Sequence, residues 1–188
     1  LVENCEFDTI YHEHLCYFSL TALTNLFTRN KMDIIDVEHI PIHGGTLRLF
    51  ASNQGVTKPS DAVTKIMYDE AEIGMDRFDY YRGFAQRVES LKSSLNATLS
   101  DLIAAGKTIA GYGAAAKGAV LLNYFEVGNE IIDFVVDRNP VKQNRNMPGV
   151  KIPISAPDQL LKKMPDYVLL LAWNIADEIM EQQAEYVR

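Results

Sequence analysis

Lys107 to Gly118 (KTIAGYGAAAKG) constrains this chain more than any other stretch. A short apolar run, Thr108 to Tyr112, meets a glycine-rich turn and then the opening of a helix. Gly111, Gly113 and Ala116 stand at the spacing G-x-G-x-x-A. In a strand–turn–helix unit that spacing brings backbone N–H groups and the positive end of a helix up to a phosphate. The same small residues also let helix and strand pack tightly with no ligand between them. Two further apolar runs follow, Ile131 to Val136 and Tyr167 to Ala172. The first of these ends in Asp137, at about the distance where dinucleotide-binding folds place a carboxylate on a ribose. Three such runs alternating with helices predict an α/β fold with a parallel sheet and right-handed crossovers.

Upstream the pattern changes. Ser19 can cap a helix running to about Arg29, with Leu20, Leu23, Leu26 and Phe27 on one face. Met32 to Glu38 and Thr46 to Ala51 read as strands able to pair antiparallel across the Ile40–Gly45 connection. The polar stretch Asn53 to Pro59 is the first boundary. Ser60 and Asp61 signal a helix to about Ile73, and a longer one is expected from Asp76 to Ala105, stopped by Gly106. Its stripe of Phe78, Tyr81, Phe84, Val88, Leu91, Leu95, Leu99 and Leu102 reads as packed core. Beyond the glycine turn, helices are expected over Ala114 to Glu126, from Pro157 to Lys163, and from Asn174 to the C-terminus.

Bulk properties exclude some functions. A net charge of −7 argues against a broad nucleic-acid surface, although a small anion needs only local N–H donors and one or two cations. Cys5 and Cys16 have neither metal-ligand spacing nor the density of a disulfide framework, so they read as reduced thiols of a cytoplasmic protein. No apolar run reaches membrane-spanning length. The chain opens on Leu1 rather than Met, and the expectation is that other residues precede it.

Three places could carry chemistry. Tyr11-His12-Glu13-His14 is the densest run of titratable groups. His14 could act as a general base, Glu13 could orient a hydroxyl or imidazole, and Tyr11 could donate to a developing oxyanion. In extended backbone His12 and His14 would share one face and Tyr11 and Glu13 the other, so a common site requires a turn there. A zinc site is poorly matched, because two histidines two apart lack the HExxH spacing. A loop whose polar groups satisfy one another is the alternative. His43-Gly44-Gly45 allows either close approach to a ligand or a plain turn. Finally, Lys117 in the first turn of its helix opposes the macrodipole unless an anion lies nearby. Asp137 could accept from a ribose hydroxyl or make an Asx turn. Asn174 leaves the third strand at the carboxyl edge, where open α/β sheets bind ligands.

Five blocks, FDTIYHEHLCYFS, HGGTLRLF, GYGAAAKGAVLLNYF, DRNPVKQNRNMPGVKIPI and PDYVLLLAWNIADEI, resemble in order and spacing the C-terminal half of SAM-dependent sugar C-methyltransferases. The resemblance covers nearly the whole chain. It implies an enzyme with an N-terminal zinc-binding domain, a central Rossmann-like domain for S-adenosyl-L-methionine and a C-terminal Rossmann-like domain. On that pattern residues 1–55 are the tail of the catalytic domain, and 60–188 the C-terminal nucleotide-sugar-binding domain. Neither the zinc cysteines nor the SAM-binding glycine loop lies in this chain, and no metal is expected here.

The family's Y-x-E-H run is matched by Tyr11, Glu13 and His14, whose His is the implied base. Its frequent GAPAKG turn differs here by Ala115 in place of Pro. The implied reaction removes a proton beside the ketone of a nucleotide-linked deoxysugar and methylates the resulting enolate carbon. The implied partner is a nucleoside-diphosphate ketosugar, with no nucleic acid and no membrane involved. Candidate substrate-binding residues are His43, Gly111, Tyr112, Gly113, Lys117, Asp137, Asn139, Lys142 and Asn174. An NAD(P)-dependent oxidoreductase and a non-catalytic nucleotide-binding domain are the competing readings.

Overall fold

The computed structural model describes residues 1–41 and 45–187, which divide into two units. One consists of Leu1–Glu6 and His14–Val88, and the other of Phe7–Glu13 with everything from Glu89 onward.

In the first unit α1 (Leu20–Arg29) starts where the sequence predicts, because the Ser19 hydroxyl oxygen accepts the Ala22 N–H at 3.1 Å. A second cap comes from far along the chain. Glu70, buried on α2 (Asp61–Glu72), accepts Leu20 N–H on one oxygen at 2.7 Å. Its other oxygen takes the Thr21 N–H at 2.8 Å and the Thr21 hydroxyl at 2.7 Å. A carboxylate satisfies donors that a helix start otherwise leaves unpaired. β1 (Met32–Ile40) and β2 (Thr46–Asn53) pair antiparallel as expected, each two residues longer than its apolar pattern. Leu20, Ile34, Val37 and Val63 form the core, with Leu47 and Leu49 of β2 packed against them. Ser60 precedes α2 but does not cap it. Its hydroxyl donates instead to Asp36 at 2.6 Å.

α3 (Phe78–Ala104) has 27 residues and ends at Gly106, whose φ of +72° makes the expected cap. Its stripe is only partly core. Val88 and Leu99 are buried, whereas Phe78 is 74% exposed and Leu91 42%.

The second unit carries a four-stranded, wholly parallel sheet in the order β5-β4-β3-β6. β3 (Ile109–Tyr112) is buried along its length and lies inside the sheet. α4 (Ala116–Phe125) leads to β4 (Val135–Val136), then come β5 (Ile154–Ser155), α5 (Gln159–Lys163) and β6 (Tyr167–Leu170). The predicted strand Ile131–Val136 shrinks to two residues because Ile131 and Ile132 turn back to donate to the Gly128 carbonyl. β5 is too short to leave a period and was not foreseen. The single helix expected at the C-terminal end is instead a 3-10 turn (Trp173–Ile175), α6 (Ala176–Gln182) and α7 (Ala184–Val187). The chain builds β3, β4 and β5 in one direction, then returns through α5 to place β6 on the other side of β3. β3 and β6 are therefore neighbours in the sheet although α4, β4, β5 and α5 separate them in sequence.

Asp166 ties the start of β3 to the start of β6. It accepts the Thr108 N–H and hydroxyl, both at 2.9 Å, and the Lys107 ammonium at 3.0 Å. The Thr108 N–H first, then Lys107 and the Thr108 hydroxyl, hold its carboxyl at about 2, below the ordinary 3.8. A carboxyl lowered by folding stabilises the folded state above its unfolded value, and that contribution vanishes as pH falls through the folded one. Stability is therefore expected to drop between about pH 4 and pH 2. Asp166→Asn should flatten the drop in thermal unfolding compared near pH ~2.5 and pH ~5. An equally steep fall in the variant would assign it to other carboxylates.

Candidate functional site

Packing explains the glycine spacing. A Cβ on Gly111 would lie 2.9 Å from Val135 Cγ2, and one on Gly118 would lie 2.9 Å from Leu171 Cβ. Gly113 has a φ of +96°, and a Cβ there would meet Ala172 Cβ at 2.8 Å and its backbone nitrogen at 3.2 Å. The turn between β3 and α4 is thus pressed against the segment that follows β6.

Asp137 closes the turn from its other side. Its Oδ2 accepts the Ala114 N–H at 2.8 Å and the Lys142 ammonium at 3.2 Å. Its Oδ1 accepts the Asn139 N–H at 2.8 Å, an Asx turn. The Asn139 side chain in turn accepts the Val141 N–H at 3.0 Å. Gly113, Asp137, Asn139 and Lys142 are therefore brought together around one nearly buried carboxylate, and this carboxylate serves the turn from within the chain.

Lys117 occupies the first turn of α4, whose preceding residue Ala115 supplies no side-chain cap. Its ammonium donates to Asn174 Oδ1 at 2.8 Å and lies 4.8 Å from the centroid of the Trp173 ring. Among the described residues no carboxylate pairs with it. A cation held by an amide and an aromatic face beside a helix N-terminus keeps its charge available to an anion.

The Trp173 indole N–H donates to Asp8 Oδ2 at 2.7 Å, and Asp8 is only 2% exposed. Asp8 belongs to a 3-10 turn, Phe7–Thr9, whose Phe7 ring stacks on Phe125 at 5.1 Å and tilts against Tyr124 at 5.5 Å. Both contacts seat this turn on α4. Immediately after it the backbone bends at Tyr11 and turns at His12 and Glu13, supplying the irregular segment that a shared site requires. Tyr11 is half-buried, His12 and Glu13 are exposed, and His12 Nε2 lies 4.0 Å from Glu13 Oε1. His14, in the first unit, is exposed, with its ring edge-on to Tyr17 at 6.1 Å.

Sequence reasoning did not find Asp8 or Trp173. Their only signal was a lone tryptophan at the end of the third apolar run and an acid in the FDT triplet. Tyr112 faces away from the turn. Its ring joins Ala110, Phe134, Val136, Leu160 and Ile179 in the core, and its hydroxyl is buried there. Burial, first among the causes, pushes that phenol up from 10.0. The cavity it lines, about 400 Å³ between β6, α5 and α6, is therefore not at the glycine turn. His43 lies outside the described residues. Among the described residues no group of three or more His, Cys, Asp or Glu could hold a metal ion, and no helix is long and apolar enough to cross a membrane.

The family described as the C-methyltransferase C-terminal domain matches residues 41–188. C-methyltransferase NovU of Streptomyces niveus is 38% identical over 188 residues, which is all of this chain and 45% of that protein. The chain thus spans about half the length of this relative. At the glycine turn the near contacts come from the chain itself. Ala172 fills the space against Gly113, and Asp137 already takes the Ala114 N–H.

Proposed function

We propose, from the premise that this chain belongs to the C-methyltransferase C-terminal domain family, that it supplies the general base and the diphosphate grip of a sugar C-methyltransferase. The substrate is a nucleoside-diphosphate deoxysugar bearing a ketone, and the methylated carbon is the one beside that ketone. One observation carries the reading. The segment bearing Tyr11 and Glu13 is fastened, through Asp8 and Trp173, to the sheet edge where Lys117 stands.

The chemistry follows from the residue types. A C–H beside a carbonyl is acidic because the resulting charge moves onto oxygen. His14 takes that proton, Tyr11 donates to the enolate oxygen, and Glu13 orients the groups around it. S-adenosyl-L-methionine, when bound by residues beyond those of this chain, supplies an electrophilic methyl group. Lys117, Asn174 and the first-turn N–H groups of α4 meet the diphosphate. Gly111 and Gly113 allow the strand end to close against its neighbours. Asp137, with Asn139 and Lys142, shapes the turn, and His43 belongs to the sugar rim. Zinc belongs to a preceding domain, as in the family resemblance, and the setting is the cytoplasm.

The NAD reading rested on Gly111, Gly113, Ala116 and Asp137. Packing now accounts for the glycines, and both oxygens of Asp137 are engaged. Calorimetric titration separates the readings. A dTDP-linked ketosugar should bind, and Lys117→Ala should weaken it by roughly 10-fold or more, the effect of losing one charge-assisted contact. Tight binding of NAD alone would favour the oxidoreductase. Sugar-nucleotide binding with no methyl transfer by the full-length protein would leave a non-catalytic domain.

A further inference from the structure

The geometry points to Asp8 and Trp173 as positioning residues of the transfer reaction, holding the Tyr11–Glu13 turn in register with the Lys117 grip; this rests on the reading just proposed. Neither residue needs to touch the substrate. Trp173 uses two sides of one indole. Its face lies 4.8 Å from the Lys117 ammonium, and its edge N–H donates to Asp8 at 2.7 Å.

Asp8 is 2% exposed, which is costly for a carboxylate unless strong hydrogen bonds hold it. Tyr11 follows three residues later. On the other flank, Asn174 takes the same ammonium at 2.8 Å directly after Trp173. The Lys117 ammonium and the Tyr11–Glu13 turn are therefore referenced to one aromatic ring, although 165 residues separate Asp8 from Trp173.

A displacement on the order of 1 Å, caused far from the reacting atoms, can cost roughly 10²-fold in rate. Loss of the indole–carboxylate bond should thus slow proton abstraction and leave the diphosphate contacts in place. That separates a positioning role from a binding one.

The test uses the full-length protein and a dTDP-linked 4-keto-6-deoxysugar, with α-proton exchange in heavy water and methyl transfer as readouts. Trp173→Phe keeps an aromatic face under Lys117 but removes the N–H donor. Asp8→Asn keeps an acceptor oxygen, and Asp8→Ala removes it. Trp173→Phe and Asp8→Ala should each lower kcat about 10- to 100-fold with KM within about 3-fold. Asp8→Asn should recover most of the rate. The double variant Asp8→Ala/Trp173→Phe should be no slower than either single one, as expected of two ends of one contact.

Thermal unfolding of Trp173→Phe, the variant that best keeps the ring packing, checks that the loss is not one of folding. A folded Trp173→Phe with kcat within 2-fold of wild type, a change confined to KM, or additive losses in the double variant would overturn the inference. Each of those results would leave the proposed function standing. A wild-type protein that exchanges no α-proton would instead remove the proposed function, and this inference with it.

Discussion

His14→Ala in the full-length protein should slow exchange of the ketosugar α-proton with heavy water by about 10²- to 10⁴-fold, the usual worth of a positioned general base. Binding of the sugar nucleotide should stay within about 3-fold of wild type, because the diphosphate is assigned to Lys117 and Asn174. The imidazole is exposed, and its backbone belongs to no helix or strand. Its truncation should therefore change stability by no more than about 0.5 kcal/mol. Structural damage then cannot imitate a chemical loss. His12→Ala is the internal control: two residues away and also exposed, it should leave exchange near the wild-type rate. Undiminished exchange in His14→Ala would remove that residue from its role.

Gly113→Ala should destabilise the second unit by about 2–5 kcal/mol. Roughly 1–2 kcal/mol comes from placing an L side chain at positive φ. About 1–3 kcal/mol more comes from forcing a methyl group into filled space. The neighbour at 2.8 Å is the Cβ of Ala172, with the Ala172 backbone nitrogen at 3.2 Å, so no flexible side chain can swing aside. Urea unfolding followed by the fluorescence of Trp173, the only tryptophan in the chain, isolates this unit. A shift under about 1 kcal/mol would mean that the turn opens readily. The glycine would then need a reason other than contact with Ala172.

Much of the fold was legible because it rests on period and punctuation. The alternation of Thr46–Ala51, the Ser19 start of α1, the Gly106 stop of α3 and the three apolar runs around the glycine turn each leave a local trace. Elements without a period were not legible. β5 has two residues, too few to alternate. The run at Ile131 lost its first residues to a turn around Gly128 that the apolar pattern concealed.

The candidate site was legible in residue type but not in partnership. G-x-G-x-x-A is the same string whether a phosphate or Ala172 occupies the space beside it, so spacing alone could not choose. Asp137 was found, but the Ala114 N–H on its carboxylate is 23 residues away. Glu70 reaches the start of α1 across 50 residues, and Trp173 reaches Asp8 across 165. Bonds of that span have no sequence period.

The path of the chain bears on modularity. Phe7–Glu13 lies in one unit, flanked on both sides by stretches of the other. A single cut in the polypeptide therefore cannot release the parallel-sheet unit whole. Removing everything before Glu89 would strip Phe7 from Phe125 and leave the Trp173 indole without its acceptor. Gene fusions or domain shuffling that treat the C-terminal hundred residues as a portable cassette would carry that lesion.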